Sequence, residues 1–182
     1  MKGLLLGAGL LVSCAPVHAA DFKLTSPDVG PDKPLAQTFV YNSYGCHGEN
    51  KSFALKWSDA PHGTQSFVIT HFDPDALLGR GFWHWFMIDI PGSTTSLPRD
   101  AGNEDNSKLP EGAKHLKQSF GRAGYGGSCP PPSDKPHTYL VTVYAIKVPR
   151  LDIPADTSAA QALPIVEANA LGKATLTYQF GR

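Results

Sequence analysis

Sixteen prolines and eighteen glycines interrupt this chain at short intervals, and the apolar runs left between them have the length of β-strands. Five runs stand out, at residues 37–41, 66–72, 84–90, 138–146 and 174–180. Alternation is clearest in Thr138-Tyr139-Leu140-Val141-Thr142-Val143-Tyr144 and in Thr175-Leu176-Thr177-Tyr178-Gln179-Phe180, where β-branched and aromatic side chains dominate. The pattern predicts an antiparallel, mainly β architecture. Helical signal is confined to the end: residues 155–162 follow a proline, with Asp156 or Thr157 as N-caps, and residues 163–171 form a second apolar-periodic segment. The polar stretch 100–118 reads as a long loop or lid.

The first twenty residues stand apart from this pattern. Lys2 precedes an apolar run over residues 4–12, and small residues follow at Ala19 and Ala20, which reads as a secretory signal peptide with the domain occupying residues 21–182. The apolar run is too short for a membrane span, which takes roughly 20 residues, and no later segment is a candidate. A competing reading is the lipoprotein signal Leu11-Val12-Ser13-Cys14, in which Cys14 is acylated and becomes the new N-terminus. Of 16 basic side chains only Lys2 lies in the leader, so the exported chain carries 15 against 16 acidic, a net charge of −1 with His neutral. A basic stripe for nucleic acid is missing from it. With Cys14 removed or lipidated, Cys46 and Cys129 are left as a pair in an oxidising compartment, so one disulfide is expected. It closes a loop of more than 80 residues, which in the chain-entropy model is worth about 4 kcal/mol at most.

Three stretches carry chemistry. In Asp73-Pro74-Asp75 the proline pushes Asp73 toward an extended conformation and ends the preceding strand, so two carboxylates emerge close together. The same tripeptide also serves as an ordinary turn starter. In Phe82-Trp83-His84-Trp85-Phe86, a period of two sends His84 to one face and both tryptophans to the other. A histidine among aromatics is commonly a satisfied core residue; beside an acid pair, its imidazole is oriented so that one ring nitrogen faces a ligand. The third stretch runs from Gly121 through Gly124-Tyr125-Gly126-Gly127-Ser128-Cys129-Pro130-Pro131 to His137-Thr138-Tyr139. Amides around Gly126, Gly127 and Ser128 suit a concave anion nest, and His137 and Tyr139, two apart on a strand, share a face. Ser128 with His137 sketches the start of a hydrolase dyad, and the Asp and His cluster supplies enough donors for a metal in principle. Neither a base-activated nucleophile nor a Cys-x-x-Cys or His-x-x-x-His spacing supports those two readings.

These residues together resemble the phosphatidylethanolamine-binding protein (PEBP) family, in its bacterial Raf-kinase-inhibitor-like branch of the YbhB and YbcL type. The resemblance runs from about Phe22 to Arg182. It rests on Leu55-Lys56-Trp57, Pro61-His62-Gly63-Thr64 with Ser66, Asp73-Pro74-Asp75, Trp83-His84-Trp85, the Gly124 to Pro131 turn, and His137-Thr138-Tyr139 leading to Val143-Tyr144-Ala145. It implies a PEBP-like antiparallel β-sandwich with a Greek-key core and short C-terminal helices. It also implies a small pocket for anions or a phospholipid head group, formed by Asp73, Asp75, His84, Gly127 and His137 with Tyr139 near it. No metal, cofactor or catalytic mechanism comes with the family, so the expected activity is binding rather than catalysis. An unidentified kinase or signalling protein is a further expected partner; the alternative is a protein-interaction or protease-inhibitor-like module with a vestigial pocket. The expected location is the periplasm or the medium. The chain departs from the family pattern at Phe53, Leu77 and Ser128, where prolines are usual, and at Asn169, where many relatives carry a histidine that reaches the pocket.

Overall fold

Alternation along the longest strands decides the architecture. A computed structural model describes residues 21–154 and 156–182, so the expected leader, its cleavage site and the Cys14 alternative lie outside the described residues. Strands β1 (Lys23–Thr25), β2 (Leu55–Ser58) and β5 (Ser96–Leu97) form a small antiparallel sheet in the order β1-β2-β5. Strands β3 (Ser66–Asp73), β4 (Phe82–Pro91), β6 (Lys114–His115), β7 (His137–Ile146) and β8 (Ala170–Phe180) form the large sheet in the order β6-β4-β3-β7-β8. All its pairs are antiparallel. Three successive strands followed by one that returns beside the first is the Greek-key order.

Odd-numbered residues of β3 and β7 face the small sheet. Phe67, Ile69, Val141, Val143 and Ala145 meet Leu24, Leu55, Trp57 and Leu97 in the main core. Even-numbered neighbours face the other way: Val68, Tyr144 and Ile146, with Phe86 and Ile88 of β4, are covered by helix α1 (Ala159–Asn169) through Ala159, Ala162 and Val166. Each large apolar side chain so buried contributes about 1.5–3 kcal/mol. The mainly β sandwich expected from the sequence is the observed fold.

Local expectations change in three places. Residues 37–41 are not a strand: Gln37–Phe39 is a 3-10 turn, and Val40 makes an isolated bridge to Ser128. Phe39, Val40 and Tyr41 are all buried, so packing on every side replaces the alternation a half-exposed strand needs. The two expected C-terminal helices are one, capped by Ser158 in a capping box with Gln161 rather than by Asp156 or Thr157. Pro164 lies inside it, and the Ala159, Ala162, Val166 stripe holds the helix to the sheet in spite of the lost hydrogen bond. Residues 100–118 are not a lid: Ala101, Gly102 and Leu116 are buried, and β6 pairs with Met87 and Ile88 at the sheet edge. The disulfide Cys46–Cys129 is formed, with an S–S distance of 2.05 Å. No helix of the described residues is long and apolar enough to cross a membrane.

Candidate functional site

The site lies where β3 ends and β7 begins. Asp73, the last residue of β3, accepts the amides of Asp75 (2.9 Å) and Ala76 (3.1 Å) on Oδ1, which closes the Asp-Pro-Asp turn. Its Oδ2 accepts from Nδ1–H of His137 at 2.7 Å. The other ring nitrogen of His137 donates to Asp134 Oδ2 at 3.3 Å. Burial by itself lowers the His137 pKa, but hydrogen bonds and charge from Asp73, then Asp134, outweigh it and raise the pKa above its ordinary value. His137 is thus an imidazolium held between two carboxylates.

His84 sits at a β-bulge. His71 pairs with Trp85 and Phe72 with Trp83, so His84 is the extra residue on β4. The bulge corrects the expectation that both tryptophans share a face. Trp83 packs on Phe72 at 4.4 Å and on Phe86 at 5.5 Å on the helix side, while Trp85 is buried in the main core. Nδ1–H of His84 donates to the Gly126 carbonyl at 2.9 Å, and Nε2 has no hydrogen-bond partner among the described residues. Burial pushes the His84 pKa down to about 4, against partial support from the Gly126 carbonyl and the Asp73 charge.

Asp73, His84, His137, Tyr139 and Asp134 line one cavity of about 390 Å³. Its walls are apolar and aromatic: Leu77 on one side, Phe82 and Phe120 on another, and Tyr44 with Cys129-Pro130-Pro131 at the disulfide. Phe82 meets Phe120 edge to face at 4.6 Å, and Phe120 stacks on Tyr41 at 4.2 Å. Tyr139 stacks on Tyr178 at 5.0 Å and its hydroxyl has no partner among the described residues. Burial, reinforced by the Asp73 charge, pushes its pKa far up, so it remains a phenol with a proton to donate.

Three expected features are placed differently. Asp75 does not line the cavity; its Oδ2 accepts the Thr138 amide at 2.8 Å and stitches the turn to β7. The glycine turn is not an open nest, because the Gly126 amide donates to the His84 carbonyl and the Gly127 amide to Asn50 Oδ1, each at 2.7 Å. Gly127 is absent from the lining. A Cβ there would stand 2.4 Å from the Tyr41 nitrogen and 2.5 Å from the Phe39 oxygen, so glycine serves close packing behind the wall. Asn169 is at the far end of the sheet, where its side-chain amide donates to the Ile165 carbonyl at 2.9 Å and its carbonyl accepts the Lys147 amide. That residue contributes nothing to the pocket, so the expected link between position 169 and the pocket fails. The sketched dyad does not form either: Ser128 Oγ shares a 2.7 Å hydrogen bond with the Tyr178 hydroxyl. Among the described residues no group of three or more His, Cys, Asp or Glu is arranged to hold a metal ion.

Sequence reasoning missed His71, Asp134 and Arg182. His71 lies beneath the pocket, with Nε2 bonded to Tyr178 at 2.9 Å and its ring 4.9 Å from that of His84. Burial, then the neighbouring His84, holds its pKa well below the ordinary value. Its parity with Asp73 on one strand was the available signal. Arg182 ties the chain end to the pocket wall through the Pro130 carbonyl (2.6 Å) and the Gly45 carbonyl (2.9 Å).

A Greek-key sandwich whose strand ends enclose a carboxylate–imidazolium–carboxylate floor beneath aromatic walls defines a small-ligand pocket of a particular architecture. The family model described as phosphatidylethanolamine-binding protein matches residues 25–181, and the chain belongs to that family. It is 40% identical to YbcL of Escherichia coli K12 over 177 residues, covering 97% of each chain. To YbhB of the same organism it is 37% identical over 158 residues, 87% of this chain and 99% of that one. The crystal structure of E. coli YbcL, described as a member of the mammalian PEBP family, superposes with a TM-score of 0.86 over 90% of this chain and 99% of that one. A presumed lipoprotein of Mycobacterium tuberculosis, LppC, is 31% identical over 167 residues, 91% of this chain and 75% of that one.

Proposed function

We propose that this chain is an exported, non-enzymatic binding protein whose pocket holds a small anionic or phospho-head-group ligand. The observation that carries the reading is a pair of polar atoms without protein partners, Nε2 of His84 and the Tyr139 hydroxyl, on residues that line one cavity. The Tyr139 hydroxyl is buried as well as unpaired, which costs about 1–3 kcal/mol, and a ligand in the cavity supplies the missing bond. The walls of Leu77, Phe82 and Phe120 accept the carbon part of the ligand, and His137 holds the floor in place through Asp73 and Asp134. Binding is favoured over catalysis because the candidate nucleophile Ser128 is engaged by Tyr178 and both His137 nitrogens by carboxylates. Export to the periplasm or medium is supported by the leader in the sequence, by the Cys46–Cys129 disulfide and by the kinship with LppC; acylation at Cys14 is the alternative.

Titration calorimetry of the exported form against phosphate, phosphoethanolamine and a short-chain phospholipid tests the reading. Saturable binding is expected, weakened at least tenfold (about 1.4 kcal/mol) by His84→Ala and by His137→Ala. No heat from any of these ligands, with the protein folded, overturns it. A second reading, contact with a kinase, other signalling protein or protease, is favoured by the exposed rim: Tyr44 is 71% exposed, Leu77 59% and Leu78 97%. Leu78→Ser separates the two, since it removes the rim contact and leaves the pocket floor intact.

A further inference from the structure

The polar groups of the pocket pose a charge problem for any anion. Among the described residues no lysine or arginine lines the cavity. The amides of Gly126 and Gly127 point inward to the His84 carbonyl and Asn50. Both N–H groups of His137 are spent on Asp73 and Asp134. With its one cation between two carboxylates, the floor has no surplus positive charge. The bond from Nδ1–H of His84 to the Gly126 carbonyl sets the tautomer of the neutral ring, in which Nε2 carries the lone pair. On the cavity wall it therefore offers an acceptor, and the donors beside it are the neutral hydroxyls of Tyr139, Ser119 and Tyr44 rather than cations.

An acceptor meeting a fully deprotonated phosphate oxygen repels it; an acceptor meeting a P–OH accepts its hydrogen bond. We propose that the pocket takes its phosphate-bearing ligand as the protonated monoanion of a phosphomonoester, with the ligand's own P–OH donating to Nε2 of His84. The inference rests on the binding reading above and narrows its ligand class to monoesters over diesters, which have no such proton. The groups around His84 pull in both directions: burial, with the His137 charge, disfavours a protonated ring and outweighs the Gly126 and Gly127 carbonyls and the Asp73 charge, which favour one. From β3 come Asp73 and the neutral His71, from β7 His137 and Tyr139, from the turn before β7 Asp134, and from the glycine turn the Gly126 and Gly127 carbonyls. Phe82 and Phe120 close the remaining side at 5.0 and 5.7 Å. The burial that holds His84 at about 4 keeps it an acceptor at neutral pH.

The test is calorimetry of the exported protein with methyl phosphate and dimethyl phosphate between about pH 5.5 and pH 8, in buffers of different ionisation enthalpy. The second pKa of a phosphomonoester is about 6. Methyl phosphate is expected to lose about tenfold in affinity per pH unit above that value and to take up close to one proton on binding at about pH 8. Dimethyl phosphate is expected to bind at least tenfold more weakly than methyl phosphate at about pH 6. Any slope it shows belongs to His137 and the protein, and is subtracted. His84→Gln, whose amide also donates, is expected to flatten the remaining slope. Methyl phosphate binding that is independent of pH, or a diester that binds as tightly, overturns this proposal and leaves the binding reading standing. Absence of binding by either probe at every pH removes both.

Discussion

The two ends of the large sheet are made of the same three strands and differ in every property that matters for function. Toward one end, β3, β4 and β7 bury Phe67, Ile69, Met87, Val143 and Ala145 in a dry core against the small sheet. Toward the other, the same face of the same strands carries His71, Asp73, His84, His137 and Tyr139, also buried. The dry end holds by area and close packing. Every polar group of the wet end must find a partner, and the strands achieve this through Asp73 with His137, His71 with Tyr178, and His84 with Gly126. The pairing leaves over Nδ1 of His71 beneath the pocket, the buried Tyr139 hydroxyl, and Nε2 of His84 on the cavity lining. The proposed binding site is the part of a core whose hydrogen-bond accounting is left incomplete.

The contrast is broken most severely at the dry end. Phe67→Ala is expected to cost about 3–5 kcal/mol in urea unfolding, with ligand affinity of the folded fraction unchanged because no pocket group touches it. Loss of the disulfide in a Cys46→Ser, Cys129→Ser variant comes next, at about 2–5 kcal/mol. Since Cys129 also forms pocket wall, this variant should lose affinity as well as stability; stability loss alone would show that the wall holds without the bridge.

Acid should weaken the wet end selectively. His84 and His115 each have a folded pKa of about 4 from burial, against about 6.5 unfolded, and His71 is displaced in the same direction. The unfolded chain therefore binds more protons below about pH 6.5, and stability falls by about 1.4 kcal/mol per pH unit for each such histidine as the pH drops toward 4. His137 has the opposite sign: its contribution is complete below the unfolded value and is lost as pH rises through its raised folded pKa. Stability measured against pH should peak near neutrality, and His115→Leu should reduce the acid-side slope without altering ligand affinity. A slope unchanged in that variant would assign the acid limb to His71 and His84. The smallest effect is expected from Arg182→Ala, about 1 kcal/mol, read as a modest fall in affinity as the wall at Gly45 and Pro130 loosens.

Much of this contrast was legible in the chain, and the parts that were not share one cause. The long strands announced themselves because alternation over residues 66–72 and 138–146 is a local signal. The strands β1, β2, β5 and β6, of two to four residues, carry too few positions for any period to register. The residues Asp73, His84, His137 and Tyr139 were recognised by type and by their position at strand boundaries, and they converge. Gly127 and Asp75 were recognised for the right neighbourhood and the wrong contact. Their direction depends on Asn50 and Thr138, which stand 77 and 63 positions away. The bulge at His84 was illegible for the same reason, since it is a property of the register between two strands and not of either one.

The sequence by itself determined the β-rich class, the pairing of Cys46 with Cys129, the side chains available to the pocket and the resemblance to a family, because these follow from composition, short-range periodicity and residue type. Only the tertiary structure decided which of those side chains keep a free polar atom. A hydrogen bond is assigned by geometry between segments distant in the chain, and burial then sets the protonation of what remains. That is why, of the buried histidines that keep an unpaired nitrogen, His71, His84 and His115, only His84 among the described residues lines the cavity.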